Sequence, residues 1–207
     1  MSQGRTREGF TVLGAGTMGR GIAQIAAAAG YDVKLYDVEA AIAVAAVAAV
    51  AASLGRRVDS GKLSAVDRDD TLRRLEAEAD LGAACAQATV IIEAIPEMMD
   101  LKVRVLSEAA AAAPSDALIG SNTSSLSITE LGRRLDLGPR ILGTHFFNPP
   151  PAMPLLELVL GLHTSRVTLQ RGRALAARLG KTAIEVSDSP GFATSRLGVA
   201  IGAITFT

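Results

Sequence analysis

The chain has 207 residues, 49% of them apolar and 20% charged, enough for one large core or for one domain and the start of another. Its 21 basic and 21 acidic side chains cancel to a net charge of zero, which offers no electrostatic handle to nucleic acid or to an anionic membrane. A single cysteine, Cys85, excludes an internal disulfide. With two histidines in the chain no Cys/His cluster has metal-ligand spacing, so no metal is expected and a reducing, cytoplasmic setting is.

An apolar run at 10–13 ends in glycines, an alanine-rich helical stretch at 22–29 is closed by Gly30, and a second apolar run at 33–36 ends at Asp37. This is a β-α-β unit, whose strands pair in parallel. The N-terminus carries Arg5, Arg7 and Glu8 and leads straight into the first strand, so no signal peptide is expected. From 38 to about 81 the pattern is helical with a break at Asp59-Ser60-Gly61, predicting a helical hairpin inserted before the next strand. Its apolar run at 40–52 falls short of the ~18–20 residues that cross a bilayer, and reads as a helix of the domain.

Strands at 89–92, 117–119 and 141–146 alternate with helices at 101–113 and 127–135, the second opened by a Ser127/Glu130 capping box. After Pro149, Pro150, Pro151 and Pro154 come a strand at 155–160, a helix to about 179 stopped by Gly180, and a strand at 183–186. The fold class is therefore α/β, a doubly wound sheet. Asp188-Ser189-Pro190-Gly191 reads as a linker between a domain at 1–188 and the beginning of a second at 189–207.

Gly14-Ala15-Gly16-Thr17-Met18-Gly19 is a G-x-G-x-x-G between the first strand and the first helix. Gly14 allows the tight turn, Gly16 lets a pyrophosphate approach the backbone, Gly19 lets helix and strand pack closely, and the helix N-terminus offers N–H groups to phosphate. Asp37, ending the second strand, is placed to accept from the adenosine ribose and to repel a 2′-phosphate, which favours NAD over NADP. His145 lies at the carboxyl end of its strand, where ligands bind in open α/β sheets. Glu157 lies on the strand beyond the proline turn, and a chain reversal at 148–154 could bring the two side chains together as a proton-transfer pair, the alternative from the residues alone being a structural histidine.

The segments G-A-G-T-M-G-R-G-I-A, E-A-I-P-E, S-N-T-S-S-L-S-I-T, H-F-F-N-P-P and S-P-G-F occur in this order across nearly the whole chain. In them the chain resembles the 3-hydroxyacyl-CoA dehydrogenases, including bacterial 3-hydroxybutyryl-CoA members. The resemblance implies NAD-dependent interconversion of (S)-3-hydroxyacyl-CoA, of short chain, and 3-oxoacyl-CoA, with an acyl-CoA partner and a role in fatty acid metabolism. It implies His145 as general base, Glu157 as its partner and Ser124 as donor to the substrate oxygen. Glu93, Glu97, Lys102 and Asn122 would lie along the cofactor, Asn148 near the substrate, and Arg56, Arg57 and Lys62 where coenzyme A phosphates are held.

From the residues alone, Ser124 and Asn122 could be helix caps, Glu93 a strand-end acid, Lys102 an exposed helix residue and the three basic side chains a solvated face. Two departures stand out. Ser195 occupies the place of the family's asparagine in P-G-F-x-x-N-R, near the reacting carbons, and loses its amide. The chain also stops at Thr207, early in the family's helical C-terminal domain, which completes the cleft and forms the homodimer. It therefore reads as C-terminally truncated, with the dimer not expected of it. Rival readings are a gulonate-type sugar-acid dehydrogenase, which shares the His/Glu pair, and an NAD-binding module without turnover.

Overall fold

Apolar side chains occupy both faces of β1 (Gly9–Leu13): Phe10 and Val12 point into one core and Leu13 into another, so this strand needs cover on both sides. In the computed structural model, which describes residues 8–189, it pairs in parallel with β2 (Asp32–Tyr36) and β4 (Ala88–Glu93). β3 (Leu75–Glu78) extends the sheet beyond β2, while β5 (Leu118–Ser121) and β6 (Ile141–Phe146) extend it beyond β4, all in parallel. β7 (Leu155–Leu160) then runs antiparallel to β6, and β8 (Thr182–Ser187) parallel to β7. The spatial order β3-β2-β1-β4-β5-β6-β7-β8 is the doubly wound, Rossmann-type order with two added strands.

Helices α1 (Thr17–Ala28), α2 (Ala40–Asp59) and α7 (Arg166–Arg178) cover one face, contributing Ile22, Ala26, Val50, Leu54 and Leu175 to its core. The other face is covered by α4 (Leu81–Cys85), α5 (Met99–Ala112) and α6 (Ile128–Leu135), through Cys85, Leu106, Ala109, Ile128 and Leu131. Burial pushes the Cys85 thiol up to about 12. Gly30, Gly61 and Gly180 all adopt positive φ, each beside the helix end that its position in the sequence predicts.

The segment after β2 bears out the helical hairpin and its break at 59–61, but departs from the expectation that the helical pattern runs on to about 81. α2 and α3 (Ala65–Leu72) form the hairpin, with Ser64 capping α3 through the Asp67 N–H, but residues 75–78 then form β3 at the sheet edge. Leu-Glu-Ala-Glu lacks β-branched and aromatic residues, so its strand character is weak. It pairs because Leu75 is buried and because Lys34 of β2 reaches Glu76 at 2.6 Å and Glu78 at 3.6 Å.

By length and composition α2, with a hydropathy of 1.6, would be apolar enough to cross a membrane. Ala43, Ala46, Val50 and Leu54 form the stripe that packs it on the sheet, while Val44 is 59% exposed.

The Ser127/Glu130 capping box is half made. The Ser127 hydroxyl accepts the Glu130 N–H, but the Glu130 carboxylate turns to Arg133 at 2.7 Å. A distant carboxylate braces the helix start in a different way: Asp188 accepts the Ser127 hydroxyl at 2.7 Å and the Thr129 N–H at 2.8 Å. Asp188 also donates its own N–H to Leu160 of β7, so the residue that opens the expected linker is tied into the sheet domain. Ser195 and the helix expected beyond it lie outside the described residues.

Asp188→Ala removes both carboxylate contacts at the start of α6. It should cost about 1–2 kcal/mol of stability, the worth of a helix cap, in urea unfolding.

Candidate active site

The parallel strands bring their carboxyl ends to one edge, with Leu13 level with Glu93 and Glu93 level with Ser121. The glycine turn sits there on β1. Gly14 has φ +98° and donates its N–H to Tyr36 of β2 at 2.8 Å. A Cβ on Gly19 would lie 1.7 Å from the Gly14 carbonyl oxygen, so α1 can approach the turn only with glycine in that position. A Cβ on Gly16 would meet nothing within 4 Å, which leaves the turn open outward, ahead of the N–H groups of Thr17 and Met18. The Asp37 carboxylate accepts the Ala15 N–H at 2.8 Å and the Glu39 N–H at 3.2 Å, so it braces this turn from the end of β2. An open, N–H-lined concavity beside a carboxylate fits a dinucleotide.

Behind β4 and β5 lies a buried ionic network. Glu93 is 0% and Lys102 1% exposed, and they pair at 2.6 Å. Glu93 also accepts the Ser121 hydroxyl at 2.6 Å and the Ile95 N–H at 2.7 Å. Burial pushes the Glu93 carboxyl up, against the pull of the Lys102 ammonium. Lys102 reaches on to Glu97 at 3.1 Å. One oxygen of Glu97 gathers the loop after β5, accepting the Thr123 hydroxyl at 2.6 Å and the N–H groups of Ser124 at 2.9 Å and Ser125 at 3.1 Å. Partial burial raises the Glu97 pKa, but the Thr123 hydroxyl, the Lys102 ammonium and the Ser124 N–H outweigh it and bring it to about 2.

The antiparallel register sets His145 directly opposite Glu157, and His145 Nδ1 lies 2.6 Å from Glu157 Oε2. Glu157 is fully buried, while the ring is 12% exposed and meets Phe147 at a 51° tilt with centroids 5.0 Å apart. Asn122 accepts the Phe146 N–H at 2.9 Å, joining the ends of β5 and β6. A cleft of about 380 Å³ opens here, lined by Met18, Asn122, Ser124, His145, Phe146, Phe147 and Asn148.

Residues 9–189 match the 3-hydroxyacyl-CoA dehydrogenase NAD-binding domain. The chain belongs to this family. It is 40% identical over 186 residues to a probable 3-hydroxybutyryl-CoA dehydrogenase of Bacillus subtilis (strain 168), covering 90% of this chain and 64% of that protein. It is 38% identical to a 3-hydroxyadipyl-CoA dehydrogenase of Escherichia coli (strain K12), again over 90% of this chain but 39% of that protein. The crystal structure of an (S)-3-hydroxybutyryl-CoA dehydrogenase from Ralstonia eutropha superposes with a TM-score of 0.90 at 38% identity, covering 95% of this chain and 69% of that one. The chain thus spans less than two-thirds of the length of both curated relatives.

Within this 3-hydroxyacyl-CoA dehydrogenase domain, the residues singled out from the sequence divide into three groups. Met18, Asn122, Ser124, His145 and Asn148 share the cleft. Glu93 and Lys102 are buried beneath the loops that bound it, and Glu97 holds the Ser124 loop from the side. The basic trio separates: Arg56 lines a second cleft of about 320 Å³ between α1, α2 and Pro149–151, whereas Arg57 and Lys62 do not line it. Arg20, Gln24 and Ser53, which the sequence reading passed over, do line it. Arg20 and Gln24 recur at helical spacing on α1, while Ser53 comes from α2 and carries no sequence signal of its own. Among the described residues no His/Cys/Asp/Glu group could hold a metal.

The depressed Glu97 pKa fixes a sign for acid stability. Its carboxylate stabilises the fold above its ordinary 4.5, and that contribution is lost as pH falls from 4.5 to about 2. Glu97→Gln should therefore be less stable than wild type at neutral pH, with the gap closing over that range in urea titrations. A gap that does not change with pH would refute the assignment.

Proposed function

We propose that this domain catalyses its part of the NAD-dependent oxidation of a short-chain (S)-3-hydroxyacyl-CoA to the 3-oxoacyl-CoA, and the reverse. The observation that carries this reading is the His145–Glu157 pair at the floor of the cleft. Glu157, buried and 2.6 Å away, takes the Nδ1 proton as a hydrogen bond and so assigns the basic lone pair to Nε2. Nε2 removes the 3-hydroxyl proton, and the buried carboxylate stabilises the imidazolium that results. Bound NAD supplies the hydride acceptor. Ser124 donates to the substrate oxygen from a loop held in place by Glu97, and Asn148 lines the same cleft near the acyl group.

Gly14, Gly16, Thr17, Met18 and Gly19 cradle the pyrophosphate, with Asp37 accepting from the ribose hydroxyls. Glu93 and Lys102 support the cofactor side of the site from below. The neighbouring cleft, lined by Arg56 and Arg20, suits the phosphates of coenzyme A, and the turn beginning at Asn148 contributes to both clefts, Asn148 to the catalytic one and Pro149–151 to its neighbour.

His145→Gln should lower turnover of acetoacetyl-CoA, followed at the NADH absorbance band, by roughly 10²–10⁴-fold while leaving NAD affinity intact. Glu157→Gln should cost less, and the double variant should be far less impaired than the product of the two, because the residues act as one unit. Multiplicative losses would refute the pairing of roles.

Asp37→Ser should weaken NAD binding by up to about 1.5–3 kcal/mol per charge-assisted hydrogen bond lost, with NADP losing much less or gaining. Calorimetry showing equal affinity of the wild-type protein for both nucleotides would overturn the role given to Asp37.

A further inference from the structure

Residues 148–154 reverse the chain between β6 and β7, and four of them are proline. Proline has no N–H, so this turn is poor in donors with which to close on itself. Its internal closure consists of the N–H groups of Ala152 and Met153, both donated to the Pro149 carbonyl, at 3.0 and 3.1 Å. The carbonyls of Pro150 and Met153 need a donor from elsewhere.

Lys181 supplies it. The residue follows Gly180, whose positive φ turns the chain from α7 into β8 at the same sheet edge as the turn. Its ammonium donates to the Pro150 carbonyl at 2.6 Å and to the Met153 carbonyl at 2.7 Å. One residue on, the Thr182 N–H donates to the Pro154 carbonyl at 2.8 Å. Burial pulls the Lys181 pKa below the ordinary lysine value.

The opposite side of the turn is equally constrained. Pro150 is buried, and a Cβ on Gly21 of α1 would lie 2.8 Å from its Cδ. The turn is therefore wedged between Gly21 and Lys181, with Asn148 facing the catalytic cleft and Pro149–151 facing the second one.

We infer that Lys181 is a positioning residue: it holds the proline turn in the shape that makes it the shared wall of the two clefts. It touches neither cleft, and it acts through Asn148 and the prolines. Lys181→Met keeps an unbranched apolar stem one atom shorter than the lysine side chain and removes the donors. Lys181→Arg keeps a cationic fork able to reach two carbonyls.

The test measures amide hydrogen exchange, together with calorimetric affinities for acetoacetyl-CoA and NAD, on the whole chain. Lys181→Met should speed exchange at Ala152 and Met153 about tenfold while β1, β4 and β5 stay protected. It should weaken acetoacetyl-CoA binding about tenfold, a loss comparable to one charge-assisted hydrogen bond, and spare NAD. Lys181→Arg should restore most of both. Unchanged exchange in the turn, a uniform rise across the sheet, or unchanged acetoacetyl-CoA affinity despite a loosened turn would each overturn the inference. The ligand arm rests on the proposed function. Should wild-type protein bind no acetoacetyl-CoA, that function fails, and the exchange arm alone decides: selective loosening of the turn supports the clamp, and its absence overturns it.

Discussion

A carboxylate with no solvent exposure has to find a donor or a cation, and Glu157 finds the His145 ring because β7 runs antiparallel to β6. Parallel pairing would need a long crossover between the two strands, whereas an antiparallel pair closes through a short turn and sets one residue squarely opposite another. The change of direction thus delivers a buried acid to a histidine already at the ligand-binding edge. It has a second effect. β7 starts at that edge and leads away from it, so the connection through α7 returns to the same edge, and β8 enters the sheet beside the proline turn.

The other buried charges do a different job. A buried ion pair such as Glu93–Lys102 adds little to stability, since desolvation cancels much of the attraction. What it confers is geometry. Glu93 binds the ends of β4 and β5 through Ser121 and Ile95, and Lys102 carries the linkage to Glu97, which organises three consecutive residues of the serine-rich loop. Two loops that would otherwise move separately are joined through one chain of charge-assisted contacts, with Ser124 at its outer end.

Sequence patterns revealed this site unevenly, for identifiable reasons. Two of the three glycines answer a steric demand that the structure shows, a positive φ at Gly14 and a 1.7 Å clash at Gly19, whereas Gly16 faces open space and its demand would come from a ligand. The His145–Glu157 contact was legible because prolines between two apolar runs imply a reversal, although only the register makes the two residues opposite. β3 was hidden because its pairing depends on Lys34 from another strand, and a window of local residues carries no trace of that. The burial of Lys102 was hidden for a similar reason: on the helix it reads as a solvated cation, and only the packing of α5 against the end of β4 sets it on Glu93. Lys181 escaped notice because the groups it serves are backbone carbonyls some thirty residues earlier, invisible to any side-chain motif.

These placements separate two kinds of residue by their freedom to change. Glu93, Lys102 and Glu157 are buried charges, and removing one partner leaves the other unpaired in the interior, a change the fold tolerates badly. Met18, Ser124 and Asn148 reach the cleft from loops or a helix start, and their side chains can vary at little cost to the core. The lining of the cleft can therefore vary through the second group, while the buried pairs beneath it stay fixed by the first. The proline turn belongs to both: its outer residues face the clefts, but Pro150 is pinned between α1 and Lys181. A change in Asn148 or Pro151 alters what the wall presents, whereas a change in Gly21, Pro150 or Lys181 moves the wall itself, and with it both clefts at once.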